Sequence, residues 1–172
     1  MKKLKQKYAL WKFKKQLAFA NRTIKIPRLE TVKKVGVLWQ PSQSDGFKYL
    51  HDYFSQSKVI FRNLCVHDNG ATSLASGSNS VTKKDLDWSG LPKSTPVNQF
   101  IETEFDLLLN LAMEQNLVLD YITAFSRAKF KVGWTEKKDN YFDLIINISN
   151  KPDSLYLAKQ QIFYLGELNK TK

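Results

Sequence analysis

At 172 residues, with 42% apolar and 25% charged side chains, the chain is sized for one hydrophobic core and is too apolar to stay disordered. No apolar run approaches the roughly 20 residues that a membrane-crossing helix needs, so a helical integral membrane protein is not expected. The net charge of +11 is unevenly placed: residues 1–29 hold ten Lys or Arg and no acid, whereas residues 30–172 hold 17 basic and 16 acidic residues. That partition divides the chain into a basic arm with its connector, 1–29, and a near-neutral body, 30–172.

The arm carries Lys2, Lys3, Lys5, Lys7, Lys12, Lys14, Lys15, Arg22, Lys25 and Arg28. Residues 2–20 lack Gly and Pro and are rich in Lys, Leu, Ala and Gln, which predicts a helix ending near Asn21. On a helical wheel Leu4, Tyr8, Trp11 and Ala18 fall on one side and Leu10, Phe13 and Leu17 on the other. A helix patterned in this way touches two surfaces, or folds on a partner, rather than floating on a membrane by a single apolar face. Lys12, Lys14 and Lys15 interrupt the uncharged stretch that a secretion signal requires, and the expectation is a cytoplasmic protein.

Beyond the connector, "KKVGVLWQPSQSDGFKYLHDYF" reads as a buried strand, a polar turn and an amphipathic helix, and "KVIFRNLCVHD" as a second strand. The Gly/Ser/Asn-rich segment 68–81 predicts a mobile loop. "TKKDLDWSG" has no clear element. "EFDLLLNLA" at 104–112 and "YFDLIINIS" at 141–149 are nearly the same line, each a Phe-Asp followed by Leu or Ile, as expected of strands buried on both faces with Asp106 and Asp143 at equivalent entrances. Between them come a helix through "LVLDYITAFSRA" and a short strand, "KFKVGW". A last helix covers "SLYLAKQQIFYLGELNK". Strands alternating with helices predict an α/β, Rossmann-like three-layer domain with a mostly parallel sheet. Its loops at the strand carboxyl ends, where ligands of this class bind, start at Gln40, His67, Asn110 and Trp134.

The chemistry-bearing motifs are sparse. Cys65 sits in an apolar run and reads as a buried inert thiol. One Cys and two His, His51 and His67, do not make a zinc set, so no metal is expected. The first strand-to-helix turn, "WQPSQSDG", lacks both glycine-rich phosphate-binding patterns, and no cofactor is expected. A strand-end pocket would draw on His67, Asp68, Trp88 and Asn110, with Trp88 read first as packing beneath the loop. Alternation in "SRAKFKVGW" sets Lys129 and Lys131 on one face, which with Arg127 makes either an accessory basic patch or an ordinary strand end.

The run 105–134, with "KDLDWSG" before it, "FDLIINI" after it and "QLAFANR" at 16–22, resembles a Bacteroidota family of unknown function whose members have about this length. More remotely, "FDLLLNL", "ITAFSRA" and "KFKVGW" look like a strand, helix and strand of the amino-terminal half of ADP-heptose-type glycosyltransferases. That likeness implies a fold rather than a transferase activity, because the donor sugar nucleotide of those enzymes sits in a second half for which this chain has no room.

The arm is the strongest functional signal. Ten cations interleaved with Tyr8, Trp11, Phe13 and Phe19 join phosphate neutralisation to rings able to stack on bases. The expectation is a non-enzymatic adaptor carried to RNA, such as a ribosomal surface, by its basic helix. The alternatives are attachment to an anionic membrane surface through the same arm and, less favoured, an enzyme at the strand ends.

Overall fold

A computed structural model describes residues 1–18, 20–68 and 79–170. Six strands, β1 (Lys34–Trp39), β2 (Ile60–Val66), β3 (Ser80–Val81), β4 (Leu107–Asn110), β5 (Lys131–Gly133) and β6 (Leu144–Ile145), form one sheet. Their spatial order is β3-β2-β1-β4-β5-β6 and every pairing is parallel. Chain direction across the sheet therefore reverses between β1 and β4, the switch point of a Rossmann-like fold.

Alternation along the strands sends side chains into two cores. Val35, Val37, Leu107 and Leu109 meet Leu50 and Phe54 of α2 (Ser44–Ser55) and Leu157 and Leu165 of α5 (Ser154–Glu167). Leu38, Leu64 and Leu108 meet Val97 and Phe100 of α3 (Thr95–Glu102) and Leu119 and Ile122 of α4 (Leu117–Phe125). The three layers follow from this division. Local sequence sets the helix starts: Asn116 Oδ1 accepts from Val118 and Leu119 N–H at 3.0 Å, and Asp153 Oδ1 accepts from Tyr156 N–H at 2.7 Å. Each supplies an acceptor to first-turn donors that would otherwise lack one.

The doubled line has a common structural use. In the first copy Asp106 Oδ2 accepts from Lys33 and Lys34 N–H at 2.9 and 3.1 Å at the entrance of β1, and Phe105 lies over Gly36, where a Cβ would come within 2.8 Å of its ring. In the second, Asp143 Oδ2 accepts from Lys131 N–H at 2.8 Å at the entrance of β5, and Phe142 lies over Gly133, where a Cβ would come within 2.3 Å. The partners are the same triplet, Lys34-Val35-Gly36 and Lys131-Val132-Gly133, in the same register: Val35 opposite Leu107 and Val132 opposite Leu144. A carboxylate ties together adjoining strand entrances, and a glycine leaves room for the preceding ring. Asp106 and Asp143 are thus equivalent, as expected.

Three sequence readings change. β4 is buried throughout, but β6 is a two-residue edge strand with Ile145 41% exposed, since nothing pairs beyond it. Ser80–Val81, placed in the loop by composition, form the opposite edge strand against Cys65 and Val66. The remainder of that predicted loop, 69–78, lies outside the described residues, as does Phe19. Third, α3 was not anticipated.

The arm helix, α1 (Lys2–Leu17), lies on α4. Ala9 and Phe13 are buried, and the Phe13 ring meets Tyr121, Phe125 and Tyr141 at centroid distances of 5.7, 5.5 and 5.4 Å. Of the side expected to carry Leu10, Phe13 and Leu17, the body therefore covers Phe13 and part of Leu17, whereas Leu10 is 47% exposed. The connector is tied down as well: Arg22 Nη1 donates to the carbonyls of Ala128 and Lys129 at 3.2 and 3.3 Å, and Asn169 Nδ2 donates to Pro27 O at 2.8 Å. No helix among the described residues is long and apolar enough to cross a membrane.

Candidate nucleic-acid interface

Among the described residues, much of the polar capacity at the carboxyl edge of the sheet, the usual ligand position, is taken up by side-chain amides. Asn110 is fully buried at the end of β4. Its Oδ1 accepts from Ala112 N–H at 2.9 Å, and its Nδ2 donates to Gln115 Oε1 at 3.1 Å and Thr123 Oγ1 at 3.2 Å. Gln161 of α5, also fully buried, donates Nε2 to Asn110 O at 3.0 Å. At the end of β1, Gln43 Oε1 accepts from Gln40 N–H at 2.6 Å, and Gln40 Nε2 donates to Asp68 Oδ1 at 2.7 Å. These amide contacts brace the loops after β1 and β4, although Gln161 Oε1 is buried there without a hydrogen-bond partner among the described residues.

The expected strand-end set is accordingly split. Asp68 joins the Gln40 side, Asn110 is sealed in its own network, and His67 at the end of β2 donates its backbone N–H to Val81 O at 2.9 Å. Trp88 is with none of these. It is 65% exposed rather than packed beneath a loop, and its ring stacks on Tyr8 of α1 with centroids 5.0 Å apart and planes at 27°.

The accessory patch is also redistributed. Lys131 points into the α4 side of the sheet, 1% exposed, and donates Nζ to Ala124 O at 2.9 Å. Burial, followed by repulsion from Arg22, pushes its ammonium down to about 7, against the pull of Asp143. It cannot belong to a basic surface: alternation put it on a covered face. Lys129 pairs with Asp106 at 2.8 Å, and Arg127 with Glu104 at 3.7 Å. Burial raises the Asp106 carboxyl, but hydrogen bonds from Lys129 and from Lys33 and Lys34 N–H hold it below its ordinary value. Arg22 is committed to Asp143, and Lys25 and Arg28 line an open depression of about 510 Å³ beside Asp106, at the opposite edge of the sheet from Asn110.

What remains is the solvent-exposed surface of α1, over which the lysines are spread. Lys2, Lys3, Lys5, Lys7 and Lys14 are exposed, and none enters an ion pair among the described residues. Lys15 lies over the Trp11 ring at 5.1 Å, and Lys12 pairs with Asp87 at 3.3 Å. Leu4, Lys5, Lys7, Tyr8, Trp11 and Trp88 line a groove of about 370 Å³. Trp11 is 57% exposed, with its ring centroid 5.9 Å from that of Tyr8. Of the four rings expected to serve a partner, Tyr8 and Trp11 face solvent, and Phe13 is spent on the core.

Trp88 is presented by a built turn. Asp87 Oδ1 accepts from Ser89 and Leu91 N–H at 2.8 and 3.1 Å, Asp87 N–H donates to Leu91 O at 2.8 Å, and Gly90 closes the turn at a φ of 92° that glycine tolerates. Burial raises the Asp87 carboxyl, yet hydrogen bonds from Ser89 and Leu91, followed by Lys12, hold it below its ordinary value. The Asp-Trp-Ser-Gly sequence carried this turn signal. Its pairing with a helix some 80 residues earlier had none.

The family model for DUF6913, a family of unknown function, matches residues 5–168. The chain belongs to this family. The match takes in most of α1 together with the body. No curated protein and no solved structure matches the chain.

Among the described residues of this DUF6913 protein, no three His, Cys, Asp or Glu side chains gather as a metal set. Cys65 is buried, which pushes its thiol up to about 11, so the reactive thiolate is disfavoured.

Proposed function

We propose that this DUF6913 protein is a non-enzymatic cytoplasmic adaptor that attaches its α/β body to RNA, a ribosomal surface being one such setting, through the exposed surface of α1. The observation that carries this reading is the separation of the arm's cations into two kinds. Arg22 and Lys12 hold α1 and the connector to the body, while Lys2, Lys3, Lys5, Lys7, Lys14, Lys15, Lys25 and Arg28 are exposed without acidic partners among the described residues, Lys15 lying over the Trp11 ring. Lysines are point charges rather than planar forks, so they suit phosphate attachment better than base readout. The amide contacts at the described part of the carboxyl edge support a scaffold over a catalyst in this reading.

The competing reading is an anionic membrane surface, where each nearby lysine is worth about 1 kcal/mol. Against it, Ala9 and Phe13 are already covered by the body, and the exposed apolar residues left on α1 do not form one stripe, with Leu10 lying apart from Leu4, Tyr8 and Trp11. Sedimentation of the full-length protein from a gently opened cell separates the two. Comigration with ribosomes that is lost on RNase treatment supports RNA attachment, and comigration with membranes or as free protein contradicts it.

A further inference from the structure

The groove between α1 and the Asp87 turn has a feature that phosphate attachment does not require. A surface that only neutralised phosphates would need lysines, whereas here three rings, Tyr8, Trp11 and Trp88, converge with Leu4 in the open, with Lys5 and Lys7 on the same walls. Exposed aromatic surface of this kind is costly in water and marks a binding site more often than an isolated exposed apolar residue does.

We propose that this groove binds the unpaired nucleotides of single-stranded RNA, a base stacking on the exposed faces of Trp11 and Trp88 while Lys5 and Lys7 take its phosphates. Resting on the RNA reading above, this names the class of RNA. Three observations converge on it. The rings are flat and held by contacts already in place: Tyr8 on Trp88 at 5.0 Å, Lys15 on Trp11 at 5.1 Å, and Lys12 on Asp87 at 3.3 Å. Such preorganisation lowers the ordering cost on binding. The charge beside them is of the sign that a nucleotide phosphate requires, and the outward lysines of α1 continue it along the helix. Finally, bases in an A-form duplex have their faces covered by neighbours and their major groove too narrow for side chains, so a stacking groove can take only bases out of the duplex.

The test compares the full-length protein with Trp88→Ala and Trp88→Phe, using a labelled mixed-sequence single-stranded RNA and the same strand annealed to its complement. Trp88 is largely exposed, so Trp88→Ala should keep the circular dichroism and unfolding midpoint of the parent. The expected result is tighter binding of the single strand than of the duplex, a loss of roughly five- to 150-fold for the single strand in Trp88→Ala, little change for the duplex, and recovery in Trp88→Phe. Salt-dependent binding of both probes, unaffected by Trp88→Ala, would overturn the groove assignment while leaving RNA attachment standing. Failure to bind either probe, with retention on anionic vesicles, would overturn both readings.

Discussion

The carboxyl edge of the sheet and the exposed surface of α1 are two places where this fold could meet a partner, and their described residues dispose of polar groups in opposite ways. At the edge, Asn110, Gln115, Thr123 and Gln161 hydrogen-bond to one another or to backbone, and each donor so used is unavailable to a ligand. On the helix surface, lysines and rings face water, and the acid nearest them, Asp87, serves to fix a turn. Among the described residues the usual ligand position is thus largely self-bonded, and the more open cations and rings lie on a helix outside the layers. Fold alone does not locate a site.

Breaking the attachment of α1 to the body should give the largest effect. Phe13→Ala empties a seat among Tyr121, Phe125 and Tyr141, and urea unfolding is expected to show a loss of about 3 kcal/mol. A change below about 0.5 kcal/mol, the size of an ordinary surface substitution, would mean that α1 is not part of the folded unit. Next in size, Asn110→Ala leaves Ala112 N–H and Thr123 Oγ1 without their partner at the sealed edge. The expected cost is about 2 kcal/mol in the same assay, with RNA affinity unchanged.

Lys131 sharpens the comparison through pH. The unfolded chain keeps this proton to about pH 10.4, whereas the folded protein releases it near 7, so between those values the unfolded state binds more protons and this group makes stability rise with pH. Below about 7 both states are protonated and its full penalty applies. Lys131→Met should flatten that rise relative to the parent, as read by urea midpoints across the alkaline range. The smallest effect on stability is expected from Lys5→Gln and Lys14→Gln, within about 0.5 kcal/mol, since neither lysine has an ionic partner among the described residues.

Much of the fold was legible because buried strands and amphipathic helices write their periods directly. β1, β2 and β4 showed as apolar runs, and the two-sided wheel of the arm separates Phe13 and Leu17 from Tyr8 and Trp11, but Leu10, grouped with Phe13, is exposed. α3 escaped because its buried side rests on Val97 and Phe100 in eight residues, too short a period to register, although Pro96 in its first turn was a start signal. β3 and β6 hold two residues each, below what alternation can reveal. The candidate site was half legible. The cations and Trp11 were evident from composition, but which cations are taken by Asp87, Asp106 and Asp143 depends on contacts between distant segments. For Lys131, knowing the face did not tell that α4 covers it.

The central claim is that the five outward lysines of α1 attach the protein to RNA phosphates. It is tested most directly by the affinity of the full-length protein for labelled single-stranded RNA over a range of salt, beside a variant with Lys2, Lys3, Lys5, Lys7 and Lys14 changed to Gln. Five phosphate contacts contribute about −3.5 to the slope of log affinity on log salt, so the variant's slope should be shallower by about that much, the remainder coming from Lys15, Lys25 and Arg28, while the protein remains folded. Equal slopes in the two proteins, or no RNA binding by the parent, would contradict the claim.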